Sequence, residues 1–158
     1  MNDSGNDKYL LTPGPLTTSL ATKRAMLHDW GSRDTEFIAI TGRIRDRLLA
    51  IAGVEDSHAA VLVQGSGTFG VEATLGTLIA SGQRTLVLEN GAYGKRMVVI
   101  LERMGREATV LEWPEDEPVD PGSLDAALGA DGAIRHVVVV HCETTSGILN
   151  PIEAVAEV

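Results

Sequence analysis

Ala59-Ala60-Val61-Leu62-Val63-Gln64-Gly65-Ser66-Gly67-Thr68-Phe69-Gly70-Val71 passes from a short apolar run, through a glycine-rich turn, into helical spacing. Ala59 to Val63 is predicted as a buried strand, being short, apolar and partly β-branched. Beyond the turn, Val71, Leu75 and Leu78 recur at i, i+4 and i+7, the spacing of one helical face. Gly65 and Gly67 let the backbone approach a ligand closely and take φ > 0 where needed. The first amides of the helix face that turn, and the macrodipole favours an anion there. A phosphate suits the place, although the turn alone names no cofactor.

Working outward, the pattern repeats. Arg84 to Glu89 is predicted as a strand, Asn90-Gly91-Ala92-Tyr93-Gly94 as a turn, and Met97, Ile100, Leu101 and Met104 as a helical face ending at Gly105. Ala108 to Leu111 is a further strand and Pro121 to Leu128 a short helix. The four valines within His136 to His141 mark a buried parallel strand. Asn150-Pro151 reads as an N-cap followed by proline at the first helical position. On the amino-terminal side, Pro13-Gly14-Pro15 is a rigid turn and Thr17 to Leu27 a helix with Thr17, Thr18 or Ser19 as its cap. Glu36 to Ala52 is an amphipathic helix on Phe37, Ile40, Ile44 and Leu48, stopped by Gly53. Alternation of this kind predicts an α/β fold, a three-layer α/β/α arrangement with a mainly parallel sheet.

At 158 residues, with 44% hydrophobic and 22% charged residues, the chain has the composition of a soluble globular domain. Residues 1–9 form a polar tail and 10–158 the domain, which stops about two turns after Pro151 and looks incomplete. No run reaches the roughly 18 apolar residues of a membrane span. Met1 to Lys8 is too polar for a leader peptide, so a cytoplasmic location is expected. A net charge of −9 argues against nucleic-acid binding. Five acids between Glu112 and Asp120 read as a solvated loop. Cys142 is alone and the four histidines are scattered, so neither a disulfide framework nor a metal site is expected.

Gly65-Ser66-Gly67-Thr68-Phe69-Gly70 is also a literal G-x-G-x-x-G, with Glu89 lying 19 residues beyond Gly70 where a Rossmann domain keeps its ribose-binding acid. A nicotinamide-binding domain is therefore an alternative, opposed by the two helices that precede the motif. Tyr93 emerges just past the carboxyl end of a strand, the edge at which parallel sheets bind ligands, and its ring suits stacking on a heteroaromatic or packing of its own loop. After the valine strand, the hydroxyls of Thr144, Thr145 and Ser146 suit donation to a phenolate or phosphate oxygen, or local turns of the chain. A non-enzymatic binding fragment is a third reading.

Four stretches in order carry a resemblance: Leu11 to Ser19, Gln64 to Thr68, Asn90 to Arg96, and His141-Cys142-Glu143-Thr144-Thr145-Ser146-Gly147-Ile148-Leu149-Asn150-Pro151. Together they resemble the 2-aminoethylphosphonate–pyruvate transaminases, class V aminotransferases of the fold-type I pyridoxal-phosphate superfamily. The resemblance runs from about Leu10 to the last residue and implies the amino-terminal part of the cofactor-binding large domain. It implies pyridoxal 5′-phosphate as cofactor, with its phosphate on Ser66, Gly67 and Thr68, its ring stacked on Tyr93, and its phenolic oxygen beside Thr144 and, less directly, Thr145. Thr17 and Arg33 are implied as weak substrate contacts, Arg33 reading equally as a loop-tethering arginine. The implied reaction moves the amino group of 2-aminoethylphosphonate to pyruvate, giving phosphonoacetaldehyde and L-alanine in phosphonate catabolism, within a homodimer. An alanine–glyoxylate type of class V aminotransferase is the alternative inside the family. The family's Schiff-base lysine and the aspartate facing the pyridine nitrogen fall beyond Val158, and Lys8, Lys23 and Lys95 fit neither role. The chain by itself is therefore expected to be a fragment without turnover.

Overall fold

A computed structural model describes residues 8–12 and 14–158. Most of the polar tail and Pro13 of the rigid turn lie outside the described residues. The chain divides into two compact units, Met1–Leu62 and Val63–Val158.

The first unit contains α1 (Leu20–Ala25) and α2 (Thr35–Ala52). Ser19 caps α1, its side chain accepting the Thr22 amide at 3.1 Å, so the helix starts three residues after the earliest expected cap. Gly53 ends α2 at φ 66°, the left-handed conformation that glycine adopts without penalty. Trp30 and Phe37 stack with ring centroids 6.4 Å apart, tying the loop to the start of α2. The lower half of the α2 stripe remains exposed, Ile44 at 43% and Leu48 at 44%.

The second unit holds α3 (Gly67–Leu78), β1 (Arg84–Glu89), α4 (Ala92–Arg103), β2 (Ala108–Glu112), α5 (Pro121–Ala130), β3 (Ile134–Val139), the short pair β4 (Cys142–Glu143) and β5 (Ile148–Leu149), and α6 (Ile152–Glu157). β1 lies between β2 and β3 and pairs parallel with both. Its alternation decides the layers. Val87 faces a cluster with Leu75 and Ile79 from the α3 end and Met97 and Leu101 of α4. Leu86 and Leu88 face Val119 and Leu124, with Val155 of α6 packed alongside. Helices thus cover both faces of a parallel sheet, which is the α/β arrangement expected.

Three expectations are corrected. Ala59 to Val63 is not a strand: it has no ladder partner among the described residues, and Val61 is 79% exposed. Apolar β-branched residues need a neighbouring strand before they form one. The valine strand begins two residues early, at Ile134, because Arg84 of β1 already offers a partner there. It ends at Val139 because the Asn150 side-chain amide takes the Val140 carbonyl at 2.8 Å. Asn150 itself is not the helix cap. Its side chain is spent on the interior, and Pro151 occupies the N-cap position of α6.

Candidate functional site

The glycine turn presents what an anion needs. Gly65 sits at φ 126°, and a Cβ there would fall 2.9 Å from that of Phe69, so both conformation and space demand glycine. Ser66 is the N-cap of α3, yet its hydroxyl makes no capping bond. Its carbonyl accepts the Phe69 and Gly70 amides at 3.0 and 3.1 Å, leaving the Gly67 and Thr68 amides without a partner among the described residues. The freedom expected of Gly67 is not used, since its φ is not positive.

Arg96 joins this turn to the aromatic. Its Nη1 donates to Thr68 Oγ1 at 3.0 Å, and its guanidinium carbon lies 5.3 Å from the centre of the Tyr93 ring. Because Thr68 accepts from Arg96, its own proton is left to donate to an oxygen. A cavity of about 440 Å3 opens beside Thr68, lined by Glu72 of α3 and by Lys95, Arg96 and Arg103 of α4. Arg96 carried no role in the sequence reading. Its signal was the i, i+3 spacing from Tyr93, which places both residues on one face of a helix. Lys95, next to it, reaches Glu115 at 3.5 Å instead.

Tyr93 is 41% exposed in the first turn of α4. Thr144 and Thr145 lie in the tight turn joining the antiparallel strands β4 and β5, a hairpin that periodicity did not reveal. The two hydroxyls differ. Thr145 donates to Glu143 Oε1 at 2.7 Å, so towards any ligand it can only accept. Of the two readings open for this hydroxyl, the local bond within the turn is the one it makes. The Thr144 hydroxyl has no protein partner among the described residues, and its proton is available. The residues expected around a cofactor phosphate and ring therefore share one unit, Ser66, Gly67 and Thr68 being linked to Tyr93 through Arg96 and Tyr93 to Thr145 through Glu143.

Thr17 and Arg33 belong to the first unit. The Thr17 hydroxyl accepts the Leu10 amide at 2.7 Å and donates to the Lys8 carbonyl at 2.9 Å, so it pins the entering chain. Arg33 lies exposed in the turn before α2.

The dinucleotide alternative fits poorly. Glu89 is 7% exposed and lies under Gly94, whose Cβ, if present, would meet Glu89 Cγ at 2.9 Å. Burial and the neighbouring Glu112 push its carboxyl above the usual range, the reverse of an acid held ionised to bind ribose hydroxyls. A Cβ at Gly70 would meet nothing within 4 Å, so the third glycine is not there for close packing.

No protein-family model matches the chain. Among solved structures, pyridoxamine–pyruvate aminotransferase from Mesorhizobium loti superposes with a TM-score of 0.86 at 26% identity, over 99% of this chain and 40% of that one. Alanine–glyoxylate aminotransferase from Nostoc sp. superposes at 0.81 and 26% identity, over 92% of this chain and 40% of that one. The class is thereby defined: a segment with the fold of the class V, pyridoxal-phosphate-dependent aminotransferases. Sequence narrows it further. A 2-aminoethylphosphonate–pyruvate transaminase of Polaromonas sp. is 54% identical over 152 residues, and that of Pseudomonas aeruginosa 53% over 158. By sequence the chain is similar to the 2-aminoethylphosphonate–pyruvate transaminases. It covers 96% and 100% of itself in these matches but 41% and 43% of the two relatives, so it spans about two fifths of their length.

Proposed function

We propose that this chain is the pyridoxal-phosphate-binding segment of an enzyme that moves the amino group of 2-aminoethylphosphonate to pyruvate, in phosphonate catabolism. The observation carrying the reading is the polarity of Thr68. Held as an acceptor by Arg96, it turns its proton outward beside an N-cap serine with an unspent hydroxyl, a donor set matched to a phosphate. Ser66, Gly67 and Thr68 bind the phosphate, Tyr93 stacks on the ring, and Thr144 donates to the phenolic oxygen. When bound, pyridoxal phosphate supplies an electron sink for amino-group transfer. The chain's own residues anchor and orient it.

The phosphonate donor is preferred to an alanine–glyoxylate reaction because the relatives named for it are 54% and 53% identical, against 26% for the Nostoc enzyme. The intact enzyme is read as a cytoplasmic homodimer working on small molecules. Among the described residues no helix is long and apolar enough to cross a membrane.

Equilibrium dialysis of the chain with pyridoxal 5′-phosphate and with pyridoxal tests the cofactor reading. Saturable binding of the phosphate ester, at least about tenfold tighter than pyridoxal and weakened about tenfold by Arg96→Ala, is expected. Equal binding of the two, or none, overturns it. For the reaction, natively expressed protein is assayed for alanine formed from pyruvate with 2-aminoethylphosphonate, and its mass is compared with 16.7 kDa. A preference for glyoxylate as acceptor favours the alternative.

A further inference from the structure

The N-terminus of α4 is capped from far along the chain. Gly91 holds the N-cap position and has no side chain to offer. The carboxylate of Glu143 takes its place: Oε2 accepts the Tyr93 amide at 3.0 Å while Oε1 accepts the Thr145 hydroxyl at 2.7 Å. The Glu143 side chain is completely buried. A Cβ on Gly91 would fall 2.4 Å from Glu143 Cγ, so this glycine is present to admit the carboxylate. Its φ of 168° is ordinary extended backbone, and conformational freedom is not the reason for it.

One buried group therefore fixes two others that face a ligand. The Tyr93 backbone cannot shift without losing its acceptor, and Thr145 cannot turn its proton outward without leaving Glu143 with an unmatched oxygen. Among the described residues the glycine turn at Ser66 to Thr68 makes no hydrogen bond to this carboxylate; its Thr68 is held by Arg96.

We infer that Glu143 is a positioning residue that sets Tyr93 and Thr145 as one unit against the ring of the bound cofactor, separately from the phosphate cup at Ser66 to Thr68. This rests on the pyridoxal-phosphate reading above. Glu143→Gln keeps the shape and one acceptor, but replaces the other acceptor by a donor and reverses the polarity at Thr145. Gly91→Ala leaves Glu143 chemically intact and displaces it.

The test uses the 158-residue chain with pyridoxal 5′-phosphate and inorganic phosphate as separate probes, plus amide hydrogen exchange at Tyr93 without ligand. Both variants are expected to bind pyridoxal phosphate about tenfold more weakly and inorganic phosphate as the wild type does, and Gly91→Ala, which displaces the acceptor, to exchange the Tyr93 amide faster. Equal losses for both probes, or a Tyr93 amide still fully protected in Gly91→Ala, overturn the inference while the cofactor reading stands. A wild-type chain that binds no pyridoxal phosphate overturns that reading, and this inference with it.

Discussion

Asn90 and Asn150 exchange side-chain hydrogen bonds in the interior: Asn90 Nδ2 donates to Asn150 Oδ1 at 2.8 Å, and Asn150 Nδ2 donates back at 3.0 Å. Each is only 2% exposed. Asn150 Oδ1 also accepts the Val119 amide at 3.0 Å, and its Nδ2 reaches the Val140 carbonyl. Asn90 Nδ2 donates as well to the Glu117 carbonyl at 2.9 Å. Three loop segments at the carboxyl edge of the sheet are thereby locked to the end of β1, the edge from which Tyr93 and Thr144 are presented.

Asn150→Ala leaves the Asn90 amide, the Val119 N–H and the Val140 carbonyl short of a partner in a buried site. A loss of about 3 kcal/mol is expected, less than the sum of three separate penalties because some water will enter. Urea unfolding followed by far-UV circular dichroism measures it. An unchanged midpoint would show that the amide pair holds nothing together.

Thr85 offers the opposite case. It is fully buried in β1, and its hydroxyl oxygen has no hydrogen-bond partner among the described residues. Valine has nearly the same shape and no polar atom to desolvate. Thr85→Val is expected to stabilise the chain by about 1 kcal/mol, a rise of roughly 2–4 °C in Tm for a chain of this size. Differential scanning calorimetry reads the sign directly, and a fall in Tm would refute the account.

Glu89 makes stability depend on pH. Its carboxyl is pushed up first by burial and then by Glu112, its register partner on β2, with Lys95 acting weakly the other way. An acid whose folded pKa lies above its unfolded value costs nothing when both states hold the proton. As pH rises past the unfolded value near 4.5, the unfolded chain gains by ionising first, and stability falls until the folded carboxyl has ionised too. Glu89→Gln removes this titration. Its Tm should decline less than that of the wild type between pH 4.5 and neutrality, and parallel curves would rule the mechanism out.

Local signals were read well wherever the reason for an element is local. Arg84 to Glu89 forms the strand its pattern predicts, and the α2 stripe gives a helix closed by a left-handed Gly53, whereas Asp120, read only as part of the acidic loop, caps α5 through the Gly122 and Ser123 amides. The candidate cofactor residues could be named from sequence for a related reason. A glycine turn before a helix and an aromatic past a strand end declare themselves in consecutive residues, and the resemblance supplied the rest.

Sequence alone thus determined the α/β class, most element boundaries, and the glycine turn at Gly65 to Thr68 that opens a helix. It left open which hydroxyl has a proton to give and which residue bridges turn and ring, and it misplaced Asn150 as a helix cap. Each depends on a partner far along the chain: Glu143 meets Tyr93 across 50 residues, Arg96 meets Thr68 across 28, and Asn150 meets Asn90 across 60. Periodicity and spacing carry information over a turn or a strand. Hydrogen-bond direction and strand pairing are settled only when the folded chain brings distant groups within 3 Å, as the unpaired Ala59 to Val63 run and the distantly capped Tyr93 both show.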